Sequence, residues 1–400
     1  LFWMVVAAFL GMATKYSEGL LAVKYRTVAE DGHSLGGPFY YIELGMGKNF
    51  KWLAKIFAFF GVCVGLFGIG TFSQVNGISS AVHGFFDPND AFTVKILPFL
   101  GEYSWSVVIA SLILSFCVAA VLIGGVKRIA SVSQIIVPFM AVIYFVFAVI
   151  LICCNITKVP AAFATIVTAA FSPKAITGGA VGSMLIAMQK GVARGIFSNE
   201  AGLGSAPIAA AAAQTNSPVR QGLVSMTGTF IDTIIICTLT GLSIVLTGAW
   251  QVEGLEGVQV TTYAFQHGLP FPAQFSSFIL MLCLVFFAFT TILGWDYYSE
   301  RCLEYLSGGN MKHVKIFRWI YILAVFIGPY MTVSAVWTIA DIFNGLMAIP
   351  NMIALFALSG VIVKETRAFF QHAKEEALAE HRSFEEVCEE NLNEEEAPAN

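Results

Sequence analysis

Apolar positions along the chain gather into nine runs, residues 1–23, 52–82, 104–124, 129–154, 178–202, 222–248, 275–295, 317–333 and 336–363. Each approaches or exceeds the roughly 20 residues a helix needs to cross a bilayer core. No series of short alternating strands suggests a barrel, so the pattern predicts an all-α polytopic membrane protein. The fifth run breaks the uniformity. From 178 to 207 it reads GGAVGSMLIAMQKGVARGIFSNEAGLGSAP, with seven glycines beside Lys190, Arg194 and Glu200. A charge at the bilayer centre costs about 3 kcal/mol or more, and each glycine weakens a helix. A polar path is expected there.

Composition sharpens this reading. Hydrophobic residues make up 57% and charged residues 12%, against about 25% charged in a soluble domain. The net charge of −4 is misleading, because residues 364–400 hold 11 of the 26 acids and 4 of the 22 bases. The body, residues 1–363, is therefore a basic transmembrane domain, and 364–400 is expected to be a partly helical, solvated acidic tail. Threading the runs alternately puts 19 of the 22 Lys and Arg on one side, all but Lys95, Lys158 and Lys174. By the positive-inside rule that side is the cytoplasm, and it includes the C-terminus. Loops 85–103 and 251–271 then face outward, and 155–174, bounded by Pro160 and Pro173, is expected as a short helix on the outer face. The eight cysteines show no CxxC or Cys/His spacing and read as small core residues. The chain opens at Leu1 inside an apolar run, without a signal peptide, and is expected to continue a longer protein.

Chemistry within the spans rests on few groups. Lys15 and Glu18, at i and i+3, are expected to form a local ion pair. Asp296, Glu300, Arg301 and Glu304 read as an interfacial cluster. Asp232 is the deepest lone acid, with two readings: a salt bridge to Arg194, or a part in ion or proton coupling. Thr290 and Thr291 either bind Na⁺ or return their hydroxyls to their own i−4 carbonyls. Gln74 and Trp295 could supply an amide and an aromatic wall to a small zwitterion, although Trp295 equally suits an interfacial anchor. Gly61, Gly65, Gly68 and Gly70 read first as packing positions. Pro138 and Pro350, in loosely similar stretches of the fourth and ninth runs, each release a backbone carbonyl and hint at two inverted halves.

Five blocks resemble the alanine or glycine:cation symporter family, also called the sodium:alanine symporters or amino acid carrier proteins. They are GMATKYSEGLLAVKYR, GGPFYYIELGMG at 36–47, GVARGIFSNEAGLGSAPIAAAAAQTNSPVRQGLVSMTGTFIDT, FTTILGWDYYSERCLEYL and DIFNGLMAIPNMIAL, in family order from Leu1 to about Arg367. The resemblance implies the leucine-transporter fold, ten core helices in two inverted five-helix repeats with the first and sixth broken at mid-membrane. On that frame the chain supplies nine of the ten, helices two to ten, and the broken first helix is expected upstream of Leu1. It further implies Na⁺ at Thr290 and Thr291, and substrate at Gln74, Trp295 and an unwound stretch at Gly182, Met184 and Leu185. Arg194, Glu200 and Asp232 become gating or coupling residues, with Arg194 in the cytoplasmic half.

The expected activity is uptake of alanine or glycine driven by Na⁺ or H⁺ entry across the cell membrane. The partners are the small amino acid, Na⁺ and the bilayer, with no nucleic acid and no cofactor beyond the coupling ion. A non-transporting sensor or a channel on the same frame is the alternative. An intramembrane aspartyl protease using Asp232 and Asp341 is disfavoured, because the GxGD context is missing, and none of the six histidines lies deep in a span. The chain is not expected to be an enzyme.

Overall fold

The computed structural model describes residues 1–29, 32–95, 101–171, 179–380 and 382–393. Pro173, Lys174 and Gly178, expected to close the outer-face helix and open the fifth run, lie outside them, as does the end of the acidic tail. The described chain is almost wholly helical. Its main helices are α1 (Phe2–Lys24), α2 (Lys51–Phe67), α3 (Phe72–Phe86), α4 (Trp105–Leu122), α5 (Val126–Cys154), α6 (Val159–Phe171) and α7 (Gly179–Asn199). After them come α8 (Pro218–Thr247), α9 (Val258–Gly268), α10 (Ala273–Leu306), α11 (Met311–Ile327), α12 (Val333–Ala357), α13 (Ser359–Glu380) and α14 (Phe384–Asn393). Two short antiparallel hairpins complete it, β1 (Thr27–Val28) with β2 (Ser34–Leu35) and β3 (Thr93–Lys95) with β4 (Glu102–Ser104).

Among the described residues six helices are long and apolar enough to cross a membrane: Lys48–Phe86, Trp105–Leu122, Lys127–Cys154, Pro218–Thr247, Ala273–Leu306 and Val333–Ala357. The chain is a multi-pass membrane protein. The other three expected runs are also helical but fall short, α1 and α7 through their charged and glycine residues and α11 through its 17-residue length. Pro138 and Pro350 sit inside α5 and α12 as the sequence suggests. Helix α6, preceded by a 3₁₀ turn Ile156–Lys158, occupies the segment expected as a separate short helix.

The chain folds as two compact units. The first comprises Leu1–Val5, Phe60–Arg194 and Ile234–Asn344; the second comprises Val6–Phe59, Gly195–Thr233 and Gly345–Asn400. In the first, the core joins Val75 and Ile78 of α3, Leu114, Val118 and Leu122 of α4, Ile292 and Leu293 of α10, and Phe317, Tyr321 and Val325 of α11. The expected long second span is broken inside this unit, between α2 and α3. Residues 68–71 leave the helix, and the Thr71 hydroxyl donates to the Gly65 carbonyl and, at 2.7 Å, to that of Leu66. The break fits α10 closely. A Cβ on Gly70 would lie 2.6 Å from Cβ of Trp295, and one on Gly65 would collide with Ser299. Close packing is thus what these two glycines serve. The Tyr321 hydroxyl, 2.8 Å from the Ile292 carbonyl and 3.2 Å from that of Gly70, ties the break to α10.

In the second unit, Arg26 organises the chain that follows the short helix Ala206–Ala210. Its guanidinium donates to the carbonyls of Ala213 (2.7 Å), Thr215 (2.7 Å) and Ala211 (3.3 Å) and to Asn216 Oδ1 (2.9 Å). These carbonyls follow a helix C-terminus, where a cation is favoured. The acidic tail is not wholly solvated. Helix α13 begins at Ser359, crosses the 363/364 boundary and meets α1 through Tyr16–Thr366 (2.6 Å) and Lys24–Glu365 (2.8 Å). Ala373 and Ala377 of α13 close over Val387 of α14.

Candidate functional site

The sequence placed an unwound stretch at Gly182, Met184 and Leu185. The structure moves it. Helix α7 runs unbroken through all three, and the chain leaves the helix at 200–205, before the short helix Ala206–Ala210. The physical reason lies in backbone conformation. Glu200, Gly202 and Gly204 have φ of 57°, 86° and 84°, which a continuing right-handed helix forbids. Gly182 is followed, after Ser183, by Met184, Leu185, Ile186 and Ala187, all able to sustain a helix.

In the second unit this unwound segment is clasped by one carboxyl group. Glu18 Oε1 accepts from the backbone N–H of Gly202 (3.1 Å) and Gly204 (3.0 Å) and from Asn351 Nδ2 (2.7 Å). Asn351 Nδ2 also reaches the Gly202 carbonyl at 2.9 Å, and its Oδ1 accepts from the Tyr41 hydroxyl. Glu18, Asn351 and Tyr41 are fully buried. Successive N–H groups of a left-handed turn form an anion-binding concavity, and here a side chain of the same protein occupies it. The Lys15 charge acts on Glu18 as the local pairing expects, while its Nζ donates to the Asn199 carbonyl at 2.7 Å. It does so at the C-terminus of α7, where four helix carbonyls lack intrahelical partners.

Asp232 continues this network. It accepts from Ser198 (2.7 Å) and Thr233 (2.8 Å), while Asn199 Nδ2 donates to Thr233 at 3.0 Å. Its segment, Phe230–Cys237, is π-helical inside α8, a distortion that often marks functional positions. Arg194, the salt-bridge partner expected for Asp232, belongs to the first unit and is described there. Glu200 takes the Ser205 hydroxyl at 2.7 Å, closing the unwound loop on itself.

In the first unit Arg194 Nη2 meets Asp341 Oδ2 at 2.5 Å, and its guanidinium lies 4.4 Å from the ring centroid of Trp337. Trp337 lines a cavity of about 320 Å³ together with Ser73, Asn76, Ser80, Glu256 and Gln259. Loop 254–259 belongs to the segment that charge threading puts outside. Arg194, which the resemblance makes a gating residue, thus stands against a residue that lines this cavity.

Thr290 and Thr291 lie together on α10. Each hydroxyl donates to a carbonyl of the preceding turn, Thr290 to Phe286 (3.1 Å) and Phe287 (2.9 Å), Thr291 to Phe287 (3.0 Å). A hydroxyl donating in this way keeps its oxygen lone pairs for a cation. Trp295 is 1% exposed and packs on Gly70, so it is no interfacial anchor. Gln74 is half-buried and donates to the Ile69 carbonyl at 3.0 Å. The Asp296, Glu300, Arg301 and Glu304 cluster is buried in the protein, and Arg318 of α11 reaches across to Glu300.

One further group of ligand atoms stands out among the described residues. His83, Asp87 and Asp90 come within 4.8 Å of one another at the end of α3. Asp87 is already engaged by Ser104 (2.6 Å) and the Ala91 N–H (2.9 Å), which hold its carboxyl below the usual range. Those contacts give it a structural task at the β3–β4 hairpin.

The residues the sequence reading missed are Asn351, Asn199 and Tyr41, together with the clasping role of Glu18. A signal for one was present: asparagine directly after Pro350, in an otherwise apolar run, requires a polar partner.

Comparison with known proteins agrees with the resemblance. The model of the "Sodium:alanine symporter family" matches residues 1–383. An "Uncharacterized transporter" of Haemophilus influenzae is 53% identical over 375 residues, covering 94% of this chain and 77% of that protein. "Sodium/alanine symporter AgcS" of Methanococcus maripaludis is 45% identical over 382 residues, with 94% and 78% covered. "Probable sodium/glutamine symporter GlnT" of Bacillus subtilis is 35% identical over 376 residues, with 94% and 72% covered. A chain matched over this length, built of apolar membrane-crossing helices and carrying a buried, unwound polar segment, is a membrane transporter and not an enzyme; it belongs to the sodium:alanine symporter family.

Proposed function

We propose that this protein couples Na⁺ entry to the uptake of a small neutral amino acid, alanine or glycine, by alternating access in the cell membrane, with its C-terminus cytoplasmic. The observation that carries the reading is the segment 200–205, non-helical backbone buried among Glu18, Asn351 and Ser205. In a membrane protein such backbone survives where protein encloses it or where it lines a solute path. The names of the relatives supply the solute class, alanine for one and glutamine for another. The Lys and Arg asymmetry supports the orientation.

In this reading Thr290 and Thr291 give hydroxyl oxygens to Na⁺. Gln74, Trp295 and the stretch around Gly182, Met184 and Leu185 remain the proposed substrate-facing positions. Asp232 and Glu200 couple the unwound segment to α8, and the Arg194–Asp341 pair gates the outer cavity. Each Na⁺ moving inward through 100 mV releases about 2.3 kcal/mol, enough to concentrate a zwitterion tens of fold.

The test is uptake of labelled alanine into vesicles containing the protein, under imposed Na⁺ or pH gradients, with glycine, glutamine and D-alanine as competitors. Uptake is expected to follow the Na⁺ gradient and to be competed by glycine. Uptake indifferent to both gradients overturns the proposal. With Thr291→Ala, the Na⁺ concentration for half-maximal uptake should rise about tenfold, a loss of about 1.4 kcal/mol in ion binding. An unchanged Na⁺ requirement removes Thr291 from the ion site.

A further inference from the structure

A buried cluster on α10 and α11 of the first unit holds more carboxyl than guanidinium groups, the lysines of α11 (Lys312 and Lys315) lying in its exposed first turns. Three carboxyl groups, Asp296, Glu300 and Glu304, face two guanidinium groups, Arg301 and Arg318. Arg318 is committed to Glu300, with Nε at 2.7 Å from Oε1 and Nη2 at 2.9 Å from Oε2. Arg301 is committed to Glu304, Nη1 to Oε2 at 2.6 Å. Asp296 is left over. It is 0% exposed, and neither Oδ1 nor Oδ2 has a hydrogen-bond partner among the described residues.

An ionised carboxylate in that position has lost its water and gained no hydrogen bond in return, a cost of several kcal/mol that the guanidinium groups of Arg318 and Arg301 offset only in part from a distance. Proteins do not hold such a group bare. The charged or titratable side chains whose fields reach it are Glu300 and Arg301 on its own helix and Arg318 and Tyr321 on α11. The two cations among them are each spent on another acid. Tyr321 hydrogen-bonds at the α2–α3 break, where the Gly70 carbonyl is free of the helix ladder, and Ser299, one turn from Asp296, donates to the Gly61 carbonyl at 3.3 Å.

We infer that Asp296 is a binding site for a monovalent cation, a proton or Na⁺, set between α10, α11 and the α2–α3 break and separate from the Thr290–Thr291 hydroxyls. The inference deepens the transport proposal by giving it a second ion position. Its test needs no transport, so failure of one does not imply failure of the other.

The experiment uses the purified full chain with carboxyl-isotope-labelled aspartate and infrared difference spectroscopy. Six aspartates carry the label. In the proton arm, pH is stepped without Na⁺; in the sodium arm, NaCl is added at fixed neutral pH against a potassium control. The expected result is either a labelled carboxylic-acid band that persists to neutral pH or a labelled carboxylate band that Na⁺ shifts. Asp296→Glu, which places the carboxyl outside the label, should abolish whichever band responds. Asp296→Asn, nearly isosteric and uncharged, provides the same subtraction if the glutamate variant does not fold. A labelled Asp296 carboxylate that is ionised at neutral pH without Na⁺, and unmoved by Na⁺, overturns the inference. So does a responding band that survives both substitutions.

Discussion

Replacing Glu18 with alanine is expected to cost about 3–5 kcal/mol, the usual loss when one member of a buried charge-assisted network is removed. Three donors depend on Glu18 Oε1: the N–H groups of Gly202 and Gly204 and the Asn351 amide. All are buried, so none recovers its hydrogen bond from water, and each orphaned donor carries its own desolvation penalty of about 1–3 kcal/mol. Glu18→Gln should be milder, because its amide oxygen can still accept from the two glycine N–H groups. The measurement is the thermal unfolding midpoint of the detergent-solubilised protein, followed by tryptophan fluorescence for wild type and both variants. Equal midpoints for the alanine and glutamine variants would show that acceptance from the loop N–H groups contributes nothing. A drop confined to Glu18→Ala identifies acceptance from the loop N–H groups as the stabilising element.

Gly204→Val should be nearly as damaging, for a different reason. At φ 84° a β-branched residue is strained before any neighbour is considered. The added Cβ would also lie 2.7 Å from Phe57 Cε2, 2.7 Å from Pro38 Cγ and 3.0 Å from Asn351 Cγ. Phe57 and Asn351 are fully buried, and overpacking of this kind costs about 1–3 kcal/mol in addition to the backbone strain. We expect little folded protein at the membrane, read as the monodisperse fraction in size-exclusion chromatography. Gly32→Val, at a similar φ of 85° but with open space around it, separates strain from crowding. If both variants express alike, crowding at Gly204 is not what matters.

Much of the architecture was legible as periodicity. Helices α4, α5, α8, α10 and α12 follow apolar runs whose ends the sequence marks with Gly, Pro or charge, and Pro138 and Pro350 fell inside their helices as read. The two helix breaks were not legible in position. Glycines at 61, 65, 68 and 70 serve equally to pack a straight helix or to end one. Only the contact of Gly65 and Gly70 with Ser299 and Trp295 showed both uses at once. In the fifth run the family resemblance, aligned on a glycine-rich segment, put the expected break at Gly182. The decisive feature was the left-handed conformation at Gly202 and Gly204, a property of backbone angles that composition does not reveal.

Partner choice was the least legible part of the site. Local rules paired Lys15 with Glu18 and depth paired Asp232 with Arg194. The hydrogen bonds and ion pair that the structure does show run far along the chain: Glu18 with Asn351, Lys15 with Asn199, Arg194 with Asp341. By itself the sequence determined that this is a helical, membrane-embedded protein, because apolar run length and charge scarcity have one physical solution in a bilayer; that it is a transporter came from the family resemblance of its five blocks. Tertiary structure alone decided which buried acid clasps the unwound loop, which cation meets which carboxylate, and that Asp296 is left without one. Those outcomes depend on which helices approach within hydrogen-bonding distance, and residue order does not set that distance.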